Sequence, residues 1–187
     1  MYKYALFRVS VKFFILLFCT ISFSCALISK PDSCDIEELC KLEGVRTAEV
    51  TELKVGEYKK VSVCACRPWN ESGIQVAEGQ QYSFKAEIIS NWIDGKVLSD
   101  PFEGWLGGFY KTVGFLSGYF KRSDKTSWYA LVGSVGMDDA NTFAVIKSED
   151  GRVPMNKSGK LYFFANDMGG RYFNNKGKII LQVIREK

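Results

Sequence analysis

The sequence predicts an all-β fold, a sandwich or a barrel, on three observations. Short alternating or β-branched stretches recur along its 187 residues, clusters of Gly, Asn, Asp and Pro separate them, and a 47% apolar content supplies a core. The stretches fall at 48–53, 59–66, 81–89, 128–135, 142–146, 160–165 and 178–184. The separators include Gly56, Asn70-Glu71-Ser72-Gly73, Asp138-Asp139 and Glu149-Asp150-Gly151. Alternation turns one face of each strand to a core and the other to water, as packed sheets require.

The N-terminus reads as a targeting segment. Lys3, Arg8 and Lys12 flank the start of the apolar run Phe13-Phe14-Ile15-Leu16-Leu17-Phe18-Cys19, which ends in small residues. That combination over 1–25 describes a secretory or lipoprotein signal. The run is short for a transmembrane helix, which needs about 20 apolar residues; an uncleaved anchor is the alternative. Cleavage after Ala26 would discard Cys25. Alternatively Ser22-Phe23-Ser24-Cys25 is a degenerate lipobox, and Cys25 becomes a lipidated N-terminus that anchors the chain to a membrane. The expected location is outside the cytoplasm: periplasm, outer-membrane lipoprotein or secreted.

Cys34, Cys40, Cys64 and Cys66 then remain, and four cysteines in an exported chain read as two disulfides. On a strand, Cys64 and Cys66 would share one face, so each is expected to pair with one of Cys34 and Cys40. These bonds would tie a short extension, 26–45, to a sandwich domain, 46–187. A four-cysteine zinc site is the rival, although the spacings are not the usual ones.

Composition excludes several chemistries. The chain has no histidine, which removes Ser-His and Cys-His nucleophiles and the commonest transition-metal ligand. The net charge of +4 is mild and the basic residues are interspersed with acidic ones, so no nucleic-acid partner is expected. No phosphate-binding glycine loop is present, and no spacing pairs two carboxylates for glycoside hydrolysis. The chain is therefore expected not to be an enzyme, with a carboxylate glycosidase as the remote alternative. The stretch 94–122 is rich in Gly and aromatics, with Trp105-Leu106-Gly107-Gly108-Phe109-Tyr110 inside it. It reads either as a functional loop or helical insertion, or as a second apolar cluster on the sandwich.

The densest constellation lies between the last two predicted strands. Asp167, Asn174 and Asn175 supply one carboxylate and two amides, and Gly169, Gly170 and Gly177 let the backbone turn sharply. Such oxygens form a partial calcium cage. A plain hairpin loop has the same composition.

This segment resembles the C-terminal motif of the bacterial galactophilic lectins of the PA-IL type. Asn166-Asp167, Gly170, Tyr172, Asn174-Asn175 and Gly177 match at the same spacing. Upstream, Tyr129-Ala130-Leu131-Val132-Gly133-Ser134-Val135-Gly136, Ser158-Gly159-Lys160-Leu161-Tyr162, Trp69 to Val76 and Gly79 to Phe84 are similar to its other strands. The resemblance spans roughly 67–184, interrupted at 94–122. It implies a small jelly-roll-like antiparallel β-sandwich with Ca2+ at one end. Asp167, Asn174 and Asn175 would bind the ion through side chains and Arg171 through its carbonyl. Asp94 stands nearest to where a fifth oxygen is needed. Sugar hydroxyls would reach the ion, Asp167, Asn174 and the Met168 backbone, with Trp92, Trp105 or Tyr172 as a stacking surface.

The family's sugar-contacting His-Pro-x-Gln segment has no counterpart, so its galactose preference does not carry over. The sequence thus leads to an exported calcium-dependent carbohydrate-binding module whose partner is a glycan or glycoconjugate. The alternative is a non-catalytic lipoprotein that uses the same sandwich to bind a protein or membrane.

Overall fold

Val61 and Val63 alternate with Lys60 and Ser62, and Ile179, Leu181 and Val183 repeat that in-out pattern near the C-terminus. These two stretches pair along their length as the strands β1 (Tyr58–Cys64) and β12 (Lys178–Arg185). The computed structural model describes residues 49–88, 90–108, 112, 118–146 and 151–187. All belong to the unit Cys34–Lys187; the unit Met1–Ser33 lies outside the described residues.

Between them come β2 (Asn70–Val76), β3 (Gln81–Ile88), β4 (Trp92–Asp94), β5 (Val97–Asp100), β6 (Gly104–Trp105), β7 (Leu131–Val135), β8 (Thr142–Ala144), β9 (Val153–Pro154), β10 (Gly159–Ala165) and β11 (Asn175–Lys176). One sheet has the order β1-β12-β3-β9 and the second β2-β10-β7-β8; all their ladders are antiparallel. The inner faces meet in one core. Val61, Val63, Phe84, Ile179 and Leu181 come from the first sheet, and Ile74, Leu131, Leu161 and Phe163 from the second. Phe84 meets Phe163 edge-on, ring centroids 5.9 Å apart. Each such side chain contributes about 1.5–3 kcal/mol relative to exposure. The expected all-β sandwich is the observed architecture.

A third, smaller sheet was not expected. Its order is β11-β4-β5-β6, and it is built from the start of the Gly/aromatic stretch and from the segment before β12. The first part of 94–122 is therefore neither loop nor helix. Phe102 and Trp105 pack against the core, Trp105 stacked on Trp128 at 5.2 Å, while Leu98 and Leu106 stay exposed.

Other expectations shift. The strand at 48–53 reduces to a bridge between Thr51 and Ile74. β2 occupies a stretch that composition assigned to a turn. Its turn-forming side chains are absorbed into the sheet: Asn70 Oδ1 accepts the Cys64 N–H at 2.9 Å, Asn70 Nδ2 donates to the Phe163 carbonyl at 3.1 Å, and Ser72 Oγ donates to the Leu161 carbonyl at 2.6 Å. β1 ends at Cys64 and the chain turns at Ala65-Cys66, so these cysteines do not sit two apart on one strand. Cys64 is disulfide-bonded. Cys34, Cys40 and the expected extension 26–45 lie outside the described residues, as does the signal segment 1–25.

The outer face of the second sheet is closed by Arg122. Its guanidinium lies 4.1 Å from the centroid of the Trp69 ring and 3.8 Å from that of Phe164. It donates to the Pro68 carbonyl at 2.7 Å and to the Tyr172 hydroxyl at 2.8 Å, and pairs with Asp139 at 2.7 Å. An arginine suits this place because its flat, weakly hydrated fork stacks on rings while donating at its edge.

Candidate functional site

β10 delivers Asn166 and Asp167 at its C-terminal end, both buried. The Asn166 amide holds the loop 123–127. Its Oδ1 accepts the Ser123 N–H at 2.9 Å, and its Nδ2 donates to the Ser123 carbonyl at 2.8 Å. Asp167 Oδ1 accepts the Met168 N–H at 2.6 Å, which starts the bend, and Oδ2 accepts from Asn175 Nδ2 at 3.0 Å. The loop turns at Gly170, whose φ of 82° suits glycine, and enters a 3-10 turn, Tyr172–Asn174. The Tyr172 hydroxyl donates to the Ala165 carbonyl at 2.7 Å and so staples the loop to the end of β10.

β11 then pairs with β4, and the register sets Asn175 opposite Asp94. Asn174 Nδ2 donates to Asp94 Oδ1 at 3.2 Å, and the Trp105 indole donates to Oδ2 at 2.9 Å. The structure therefore brings together Asp94 with Asp167, Asn174 and Asn175, from two stretches far apart in sequence. Of these, Asp94 is the residue that the resemblance located least directly, and the third sheet is what carries it in.

The electrostatics are those of an undercompensated site. Burial first, and then the charge of Asp167, push the Asp94 carboxyl up to about 6. Hydrogen bonds from Trp105 and Asn174 and the charge of Arg171 oppose this. Burial also raises Asp167, against hydrogen bonds from Asn175 and Met168 and the charges of Arg171 and Arg122. Beside these carboxylates, Asn174 Oδ1 is buried and accepts no hydrogen bond. An orphaned buried acceptor is uncommon in folded proteins and calls for a physical reason.

Other expected residues fall differently. Arg171 is exposed and precedes the 3-10 turn. The Met168 N–H is committed to Asp167. Trp92 is 1% exposed and its indole donates to the Tyr129 carbonyl at 2.8 Å, so its ring offers no face to a ligand. Tyr172 is also buried, and Trp105 is held between Trp128 and Asp94. Trp92 and Tyr172 thus shape the site from beneath.

Sequence reasoning missed Tyr129. It adopts φ 63°, and its hydroxyl donates to the Ile93 carbonyl at 2.7 Å, fixing β4 from below. Left-handed backbone at a bulky residue is strained. Nothing in the local sequence signals it.

The carboxylates give a pH dependence with a definite sign. In EDTA the folded protein holds a proton on Asp94 up to about pH 6, whereas the unfolded chain loses it near the ordinary aspartate value of 3.8. Stability contributed by that proton is full at lower pH and is lost as pH rises through this window. Metal-free wild type is expected to melt roughly 5 °C lower at pH 6.5 than at pH 4.5 through this group. Asp94→Asn should flatten that part of the profile, as measured by differential scanning calorimetry.

Comparisons with known proteins add little. No family model matches the chain. No curated protein matches it either. Among solved structures, the chain is similar to one described as "EclA N-terminal domain; PllA-like lectin", at 20% identity and a TM-score of 0.47, over 69% of this chain and 95% of that one.

Proposed function

We propose that this end of the sandwich is a calcium-dependent glycan-binding site. One observation carries the reading: two mutually repelling carboxylates, the half-buried Asp94 and the buried Asp167, stand with a buried amide oxygen of Asn174 that has no donor. A cation satisfies all three at once. Among the described residues no group of three or more His, Cys, Asp or Glu could hold a metal, so amide and carbonyl oxygens must complete the set. An all-oxygen set of mixed type favours calcium over zinc or copper. Asp94, Asp167, Asn174 and Asn175 would hold it, with the Arg171 carbonyl as a further donor.

Bound there, calcium would supply a positive centre on which neighbouring sugar hydroxyls replace water. Both amides now turn Nδ2 towards a carboxylate, so binding would require them to present oxygen instead. With two carboxylates, the expected affinity is that of weak extracellular sites, Kd about 10⁻⁵–10⁻³ M. The glycan half of the reading rests on the sequence motif around Asn166-Asp167 and Asn174-Asn175. Asp167 and Asn174 would meet the sugar. Binding rather than catalysis is proposed, in an exported protein that Cys25 would anchor if lipidated.

A glycan array probed in millimolar calcium and again in EDTA tests this. The expected result is a set of signals that EDTA removes. Signals indifferent to EDTA, or none in calcium, contradict it.

A further inference from the structure

We propose that Tyr119 and Phe120 form the stacking platform for the apolar C–H face of a pyranoside whose hydroxyls meet the cation. These two rings, rather than any residue of the loop itself, would then select the sugar. This deepens the reading above and rests on it.

Three observations carry the proposal. First, Lys121 pairs with Met168 in an antiparallel bridge, and the Arg122 N–H donates to the Asp167 carbonyl at 3.2 Å. The segment thus meets the ligand loop at Met168, and the 3-10 turn that carries Tyr119 and Phe120 leads directly into that contact. Second, the ground there is bare. A Cβ built on Gly169 or on Gly170 would meet nothing within 4 Å. Third, Tyr119 is 99% exposed and Phe120 61%. Folding leaves both rings uncovered at the edge of the site, whereas Trp92 and Tyr172 are buried.

The platform has a fixed base. The Arg122 side chain is 8% exposed and clamped between Trp69 and Phe164, and the Lys121 ammonium donates to the Thr126 carbonyl. Such a base fixes the backbone beneath the rings, so that a ligand has only their side chains to order. A pyranose offers matching chemistry: hydroxyls at its rim for the ion, and C–H groups on one face for an aromatic ring.

The test uses the full chain and isothermal titration with methyl pyranosides of galactose, glucose, mannose and fucose in millimolar calcium. Tyr119→Ala and Phe120→Ala should each weaken the best-bound glycoside about five- to tenfold. Tyr119→Phe should keep wild-type affinity. Gly169→Val, which fills the open ground, should abolish binding. All these variants should retain the wild-type calcium-induced rise in melting temperature, because none touches the cation ligands. Unchanged affinity in the double alanine variant overturns the proposal, as does failure of every glycoside to bind a wild type that responds to calcium. Loss of binding to phosphatidylglycerol vesicles in that variant, without loss of sugar affinity, would assign the rings to a lipid surface instead. A wild type with no calcium response sinks the cation reading first and this proposal with it.

Discussion

Wild-type protein in millimolar calcium is expected to melt roughly 1–10 °C higher than in EDTA across the Kd range of about 10⁻³–10⁻⁵ M, the larger shift at the tighter end. A ligand present at a hundred times its Kd adds about 2.7 kcal/mol to a fold that binds it, and each kcal/mol moves the melting point of a domain this size by about 2–4 °C. Asp167→Ala should show no calcium response, because it removes one of two carboxylates and the oxygen that accepts from Asn175 Nδ2 at 3.0 Å. Asp167→Asn separates metal loss from structural damage. It keeps the shape and removes the charge that raises Asp94. Its metal-free melting point should equal or exceed that of wild type, while its calcium response disappears. A wild type indifferent to calcium and EDTA would end the metal reading.

Gly177→Ala should be among the most damaging single substitutions at this end. Gly177 joins β11 to β12 at φ 128°, and a Cβ there would lie 2.6 Å from the Asn91 carbonyl oxygen and 2.9 Å from Trp92 Cα. Both obstacles are backbone, so neither can swing aside. Strain and overpacking together should cost about 2–4 kcal/mol. The displacement falls on the register that sets Asn175 opposite Asp94, so the calcium response should weaken as well. Gly170→Ala is the contrast. It also has positive φ, but open space surrounds it, and only the conformational cost of about 1 kcal/mol should appear. Thermal melts of the two variants, with and without calcium, check this pair.

The principal strands were legible because they follow the period-two rule: Val61 and Val63, or Ile179, Leu181 and Val183, announce a buried face directly. β2 was hidden because Asn70 and Ser72 look like turn residues, and only the folded sheet shows their side chains serving as surrogate ladder groups. The third sheet was hidden for a related reason. Its strands are two to four residues long, too short for any period to register, and the glycines and aromatics around them read as loop.

The site was half legible. Asp167, Asn174 and Asn175 stand close in sequence, and their residue types suit oxygen coordination. Asp94 comes from a distant strand, and its place depends on β4 pairing with β11, which no local signal encodes. Trp92 shows the opposite failure. An aromatic beside a ligand loop suggested sugar stacking, yet its indole N–H finds a backbone carbonyl inside the core and keeps the ring there. Trp105 is likewise drawn in by Asp94. Arg122 carried no signal, since a lone arginine at the end of an aromatic stretch looks like any surface charge.

Crystals grown in calcium and soaked with terbium offer the most direct view of the ion. The account predicts an anomalous-difference peak bounded by Asp94, Asp167, Asn174 and Asn175, with both asparagine amides turned so that oxygen faces it. A map with no peak there, and with Asn174 and Asn175 still donating to the two carboxylates, would contradict it.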